Sequence, residues 1–127
     1  MYLLTAQEAT GPIKAYSPEL MVSDVYNYAR ISSHDETAAA EEISRMVARV
    51  KSFLPKLHSL TIGPGLGRHA NVLDAVAAVI TAAREHGVPL VIDADGYVPS
   101  SRCATVAFHR HSSLACATAA SLPGCFW

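Results

Sequence analysis

The sequence predicts an α/β protein built on a parallel βαβ core. Three observations within residues 57–96 (LHSLTIGPGLGRHANVLDAVAAVITAAREHGVPLVIDADG) carry that expectation: an apolar run ending in a glycine cluster, a helix-period segment, and a second apolar run closed by two acids. The first run, residues 59–62, is short and ends in Gly63-Pro64-Gly65-Leu66-Gly67. Val72, Leu73, Val76, Val79, Ile80 and Ala83 then fall at three- and four-residue steps, the helical period. Asn71, with Asp74 three positions on, is expected to cap this helix, and Gly87 followed by Pro89 to stop it. Residues 89–92 form a continuous apolar run, as in a strand covered on both faces. Two strands joined by so long a helix lie parallel, with a right-handed crossover.

Upstream, residues 1–11 keep no period and read as a loose lead-in. Pro12 and Pro18 break the next stretch, leaving one helical turn about residues 13–16 and an extended piece at 20–22. Residues 23–34 are polar and turn-rich. Ser33 with Glu36, or Thr37 just beyond, is expected to cap a helix with Ile43, Met46, Val47, Val50 and Leu54 on its inner face, closed by Pro55. Beyond Gly96 the character changes. Residues 97–127 are rich in Ser, Ala, Thr and Cys, contain no Asp or Glu, and sustain neither a helical nor an alternating period. A crossover helix is due there and none is visible. The chain thus divides into 1–96, a partial α/β domain, and 97–127, a divergent tail expected to be disordered, whose composition resembles an alternative exon or a shifted reading frame.

A chain of 127 residues is long enough for one core that buries roughly two thirds of its unfolded surface. Half of it is hydrophobic and 17% is charged, against a typical ~25%. The formal net charge of -1 points to neither nucleic acid nor an anionic membrane as partner. No apolar run approaches the ~20 residues of a membrane span. The opening MYLLTAQEATG lacks the basic start and apolar core of a secretory signal, and with Glu8 and no arginine it does not read as a mitochondrial transit peptide. Cys103, Cys116 and Cys125 are an odd number, all in the last quarter. That gives no disulfide framework and fits a reducing, cytoplasmic setting.

Two motifs offer chemistry. In Gly63–Gly67 the glycines let backbone approach a ligand closely, and amides near a helix start favour anions. The spacing is neither a Walker loop nor the dinucleotide fingerprint. A plain strand-to-helix turn is the alternative. Asp93 and Asp95 end the second strand on the same sheet edge, where open α/β sheets bind ligands. They could orient a hydroxyl, hold hydrated Mg²⁺, or simply cap a loop. Arg68 is placed to meet a phosphate or to stay solvated. No role is assigned to His34, His58, His69 or His86. Cys103, His109, His111 and Cys116 superficially resemble metal ligands but lack a zinc-site spacing, so no metal site is expected.

Three segments in order, IKAYSPELMV (13–22), IGPGLGR (62–68) and VPLVIDADG (88–96), resemble the ATP-dependent NAD(P)H-hydrate dehydratases of the ribokinase-like superfamily. The resemblance covers about residues 11–96. It implies part of a three-layer α/β/α fold, truncated at both ends, and a hydro-lyase that repairs hydrated NADH or NADPH (NADHX, NADPHX). In that reaction ATP with Mg²⁺ phosphorylates the added hydroxyl, and phosphate elimination restores the reduced nicotinamide. It also implies that Gly63, Gly65, Gly67, Asp93 and Asp95 bind the nucleotide substrate. Family members open with a glycine-containing strand and helix, which residues 1–11 are not expected to supply. They also carry downstream T-P-H, Lys-Gly and G-T-G-D segments, the last holding an anion hole and the general base. None occurs in residues 97–127, so the catalytic residue is unknown here and competence of the chain alone is not expected. Two other readings stay open: a ribokinase-like small-molecule kinase, and a non-catalytic module pairing with a full-length subunit or with itself through exposed sheet edges. A mitochondrial location stays open for longer relatives.

Overall fold

Short apolar runs between helical segments give strands that need helices to cover them, and the chain folds accordingly. A computed structural model describes residues 1–96, 108–111 and 114–117. In order these form β1 (Tyr2–Ala6), α1 (Gln7–Tyr16), β2 (Met21–Tyr26), α2 (Tyr28–Ile31), α3 (Glu36–Lys51), β3 (Leu60–Ile62), α4 (Ala70–Glu85), β4 (Leu90–Ile92), β5 (Phe108–His111) and β6 (Leu114–Ala117), with short 3-10 turns at Leu54–Lys56 and Ala94–Gly96. The strands make a parallel pair, β1-β2, and a four-stranded sheet in the order β3-β4-β6-β5.

The expected βαβ unit is present. β3 and β4 run parallel, with Leu60, Thr61 and Ile62 opposite Leu90, Val91 and Ile92. The α4 positions expected to face inward, Val72, Leu73, Val76, Val79, Ile80 and Ala83, are all buried. Gly87 closes the helix at φ +68°, its N–H donating to the Arg84 carbonyl at 2.9 Å. α3 packs along α4, and one apolar core joins Val25, Tyr26, Ile31, Met46, Val50 and Leu54 to Ile62, Leu90, Ile92 and the inner face of α4.

Several expectations need correction. Residues 1–11 are not a loose lead-in: they form β1 and the first half of α1. β1 pairs parallel with β2, Tyr2 against Met21, through a register shift between Thr5 and Ala6. α1 is a ten-residue helix with Pro12 inside it and no buried residue. Pro12 forgoes only its bond to the carbonyl one turn back, which an exposed helix can leave to water. α3 is capped by Asp35, whose Oδ1 accepts from Thr37 N–H at 3.0 Å and Ala38 N–H at 3.3 Å; Ser33 instead accepts from Asp35 N–H at 3.1 Å. Leu54 is buried as expected, but in the 3-10 turn after the helix. Asn71 does not cap α4. The N-cap position is His69, without a side-chain hydrogen bond, while Asn71 Nδ2 donates to the Ile31 carbonyl at 2.7 Å and ties α4 to α2.

After β4 the chain adds antiparallel strands where a crossover helix was due. β6 pairs with β4, Val91 against Cys116, and β5 pairs with β6, His109 against Cys116. The rest of residues 97–127, where a tail without a packed core was expected, lies outside the described residues. No helix among the described residues is long and apolar enough to cross a membrane.

Candidate functional site

Because β3 and β4 are parallel neighbours, their carboxyl ends deliver the glycine loop and the D-A-D-G segment to one sheet edge. The two interlock through backbone. Asp93 N–H donates to the Ile62 carbonyl at 2.9 Å, and Gly96 N–H returns to the Asp93 carbonyl at 2.9 Å. Gly63, at φ +130°, lies so close that a Cβ there would stand 1.6 Å from the Asp93 carbonyl oxygen. A Cβ on Gly96 would stand 2.7 Å from the Ile62 carbonyl oxygen and 3.1 Å from the Gly63 Cα. These two glycines are required by contact. Gly65 and Gly67 differ: at φ +70° and +75° they turn the loop, with nothing within 4 Å of an added Cβ.

The D-A-D turn is itself constrained. Ala94 sits at φ +45°, a conformation costing a non-glycine residue about 1–2 kcal/mol, and its N–H donates to Asp93 Oδ1 at 2.8 Å. Arg68 Nε donates to Asp95 Oδ1 at 3.2 Å, bridging the two loops on the outside.

A polar network at the carboxyl ends of β1 and β2 adjoins this loop pair. Glu8 accepts from Tyr28 N–H at 3.0 Å and Ala29 N–H at 3.3 Å, capping α2; backbone donors, its own N–H first, hold its carboxyl below the usual range. Asn27 Oδ1 accepts from Arg30 N–H at 2.9 Å, and Asn27 Nδ2 donates to Gln7 at 3.0 Å. The buried Glu42 accepts Asn27 N–H at 2.5 Å and pairs with Arg45, whose hydrogen bonds hold the Glu42 carboxyl below its ordinary value against the opposing effect of burial. Burial pushes the Tyr26 phenol up. The half-exposed Tyr28 ring meets His69 edge-on at 6.1 Å, directly after the glycine loop, and His69 Nδ1 is buried without a hydrogen-bond partner.

All five residues singled out from sequence thus lie on one edge. Gly63 serves contact with Asp93, Gly65 and Gly67 open the loop, and Asp93 and Asp95 shape the turn opposite. Sequence reasoning missed Glu8, Asn27, Tyr28 and Glu42. Glu8 stood inside the supposed lead-in, and the others sit in segments whose partners are more than ten residues away. The tail histidines and cysteines weighed as metal ligands fall outside the described side chains. Among the described residues no three His, Cys, Asp or Glu converge on a metal site.

Comparison with known proteins bears on this edge. A family profile described as NAD(P)H-hydrate dehydratase (Carb_kinase) matches residues 2–113. The match includes β1 and α1 and runs past Gly96, extending the 11–96 coverage expected from motifs in both directions. An ATP-dependent (S)-NAD(P)H-hydrate dehydratase of Bos taurus is 40% identical over 95 residues, covering 75% of this chain and 24% of that protein. Those of Neurospora crassa and Schizosaccharomyces pombe are 38% identical over 104 residues and 34% identical over 95, covering 30% and 28% of their lengths. The chain therefore spans only 24–30% of the length of these relatives.

Proposed function

Since this chain belongs to the NAD(P)H-hydrate dehydratase family, we propose that its glycine and aspartate loops hold the nicotinamide nucleotide during ATP-dependent dehydration of hydrated NADH or NADPH. The observation that carries this reading is the backbone interlock of Gly63 with Asp93 and of Gly96 with Ile62. It fixes the two loops as one surface, with Gly65 and Gly67 left open on it. Backbone with no side chain in the way can close on a phosphate or on the nicotinamide ring. Asp93 offers a carboxylate acceptor for a hydroxyl of the same ligand, and Asp95 stands on the same edge beside Arg68.

The chemistry asks for more than these residues give. ATP would phosphorylate the hydroxyl of the hydrate, which needs a general base and a donor cradle for the transferred group. No residue of the described edge is placed as that base: Asp93 already caps Ala94, and Asp95 faces Arg68. Mg²⁺ would be held chiefly through ATP phosphates. The remainder of the family's domain, in a full-length subunit beside this chain, would supply base and cradle.

The test is the return of reduced-nicotinamide absorbance after adding ATP and Mg²⁺ to the hydrate of NADPH. Purified residues 1–127 are expected to run at least ~10²-fold below a full-length relative, the smallest loss that removing a base alone brings. A turnover within about tenfold of the relative, abolished by Asp95→Ala, would place the chemistry in this segment and overturn the division of labour.

A further inference from the structure

We propose that Arg68 is the residue of this loop pair that contacts a phosphate group of the nucleotide, and that Asp95 tunes it as a competing counter-ion. The proposal rests on the reading above and refines the part of Asp95 within it. Arg68 follows Gly67, whose left-handed turn brings the arginine to the outer face of the interlocked loops. Its side chain is 84% exposed, that of Asp95 30%, and the contact is a single hydrogen bond from Nε at 3.2 Å. It is not the two-pronged fork that makes arginine–carboxylate pairs strong. An exposed, single-bond pair contributes little and leaves much of the guanidinium edge available. A phosphate carries at least the charge of a carboxylate and matches the same fork, so it can take the place of Asp95 on Arg68. The other arginines near this edge are committed elsewhere: Arg45 pairs with Glu42, and Arg30 lies within reach of Glu41 and Glu42. Asp95 lies within the 3-10 turn Ala94–Gly96, whose last residue packs against the Ile62 carbonyl, and this places its carboxylate beside Arg68.

Phosphate here has two sources, the nicotinamide nucleotide and ATP, and the test separates them. Wild type, Arg68→Gln, Asp95→Asn and the double variant are titrated with NADPH and, separately, with ATP by isothermal calorimetry. Arg68→Gln is expected to weaken binding about tenfold for the nucleotide whose phosphate it contacts, the loss of one charge-assisted hydrogen bond. Asp95→Asn is expected to tighten it about two- to fivefold, the release of an exposed ion pair. In the Arg68→Gln background Asp95→Asn should then change nothing. Loss with NADPH alone assigns the contact to the nicotinamide nucleotide, loss with ATP alone to the phosphoryl donor; either supports the proposal. Unchanged binding in Arg68→Gln, or weaker binding in Asp95→Asn, overturns it while leaving the proposed function standing. Failure of wild type to bind either nucleotide overturns both.

Discussion

Replacing Gly63 by alanine is expected to unfold the chain or to cost it more than about 4 kcal/mol, at the far end of what single substitutions do. The new Cβ would stand 1.6 Å from the Asp93 carbonyl oxygen and 2.7 Å from its carbon. Both are backbone atoms, so no side chain can swing away, and φ +130° is closed to alanine as well. Relief would require β3 and β4 to separate at their carboxyl ends, breaking the Asp93 N–H bond to the Ile62 carbonyl. Gly65→Ala and Gly67→Ala are the controls. They share the left-handed conformation but meet nothing within 4 Å, so each should cost only about 1–2 kcal/mol. Urea unfolding of the three variants reads the difference. Equal losses would mean that the loops do not interlock.

The second large effect is expected at Glu42. Its side chain is 1% exposed, accepts Asn27 N–H at 2.5 Å and Arg45 Nε at 3.0 Å, and lies 3.9 Å from Arg30 Nε. Glu42→Ala strands the Asn27 donor and unpairs Arg45, a loss of about 3 kcal/mol at neutral pH. The pH dependence has a definite sign. Arg45 holds the folded carboxyl below its ordinary value, so the carboxylate's contribution is fully present above the unfolded pKa and is lost as pH falls through the folded one. Glu8, also lowered by its backbone donors, acts in the same direction. Glu42→Gln should therefore be less stable than wild type at neutral pH, with the gap closing as pH falls below the ordinary carboxylate range, where Glu42 of the wild type also becomes neutral. A gap that stays constant with pH would show that the charge of Glu42 plays no part.

What the sequence made legible followed from local period. α4 declared itself because six apolar residues repeat at helical steps, and the strands on either side because they are short, apolar and bounded by glycine or proline. Their parallel pairing is enough to place the glycine and aspartate motifs on one edge. β1 and α1 were not legible for a different reason. β1 is five residues long, and α1 carries Gly11 and Pro12 with no buried face, so tertiary pairing with β2 decides both. Asn71 shows the limit of capping rules: its side chain found a partner 40 residues away at Ile31 in place of the helix end beside it. The same holds for Glu42, a charged residue on an otherwise apolar helix face whose burial depends on Asn27 and Arg45 together. Within the candidate site, the residue types were readable but the distinction among the glycines was not. Only the close approach of Asp93 and Ile62 separates Gly63 and Gly96, which cannot change, from Gly65 and Gly67, which leave room for a ligand.

The central claim, that the interlocked loops form the nucleotide-holding edge, is tested most directly by titrating the chain with the hydrate of NADPH while following backbone amide resonances. The shifts are expected at Gly65, Gly67, Arg68 and Asp95, with Gly11 and Gly87 unmoved as internal controls. Shifts absent at saturating hydrate, or centred on α1 or α3 with the glycine loop silent, would contradict it.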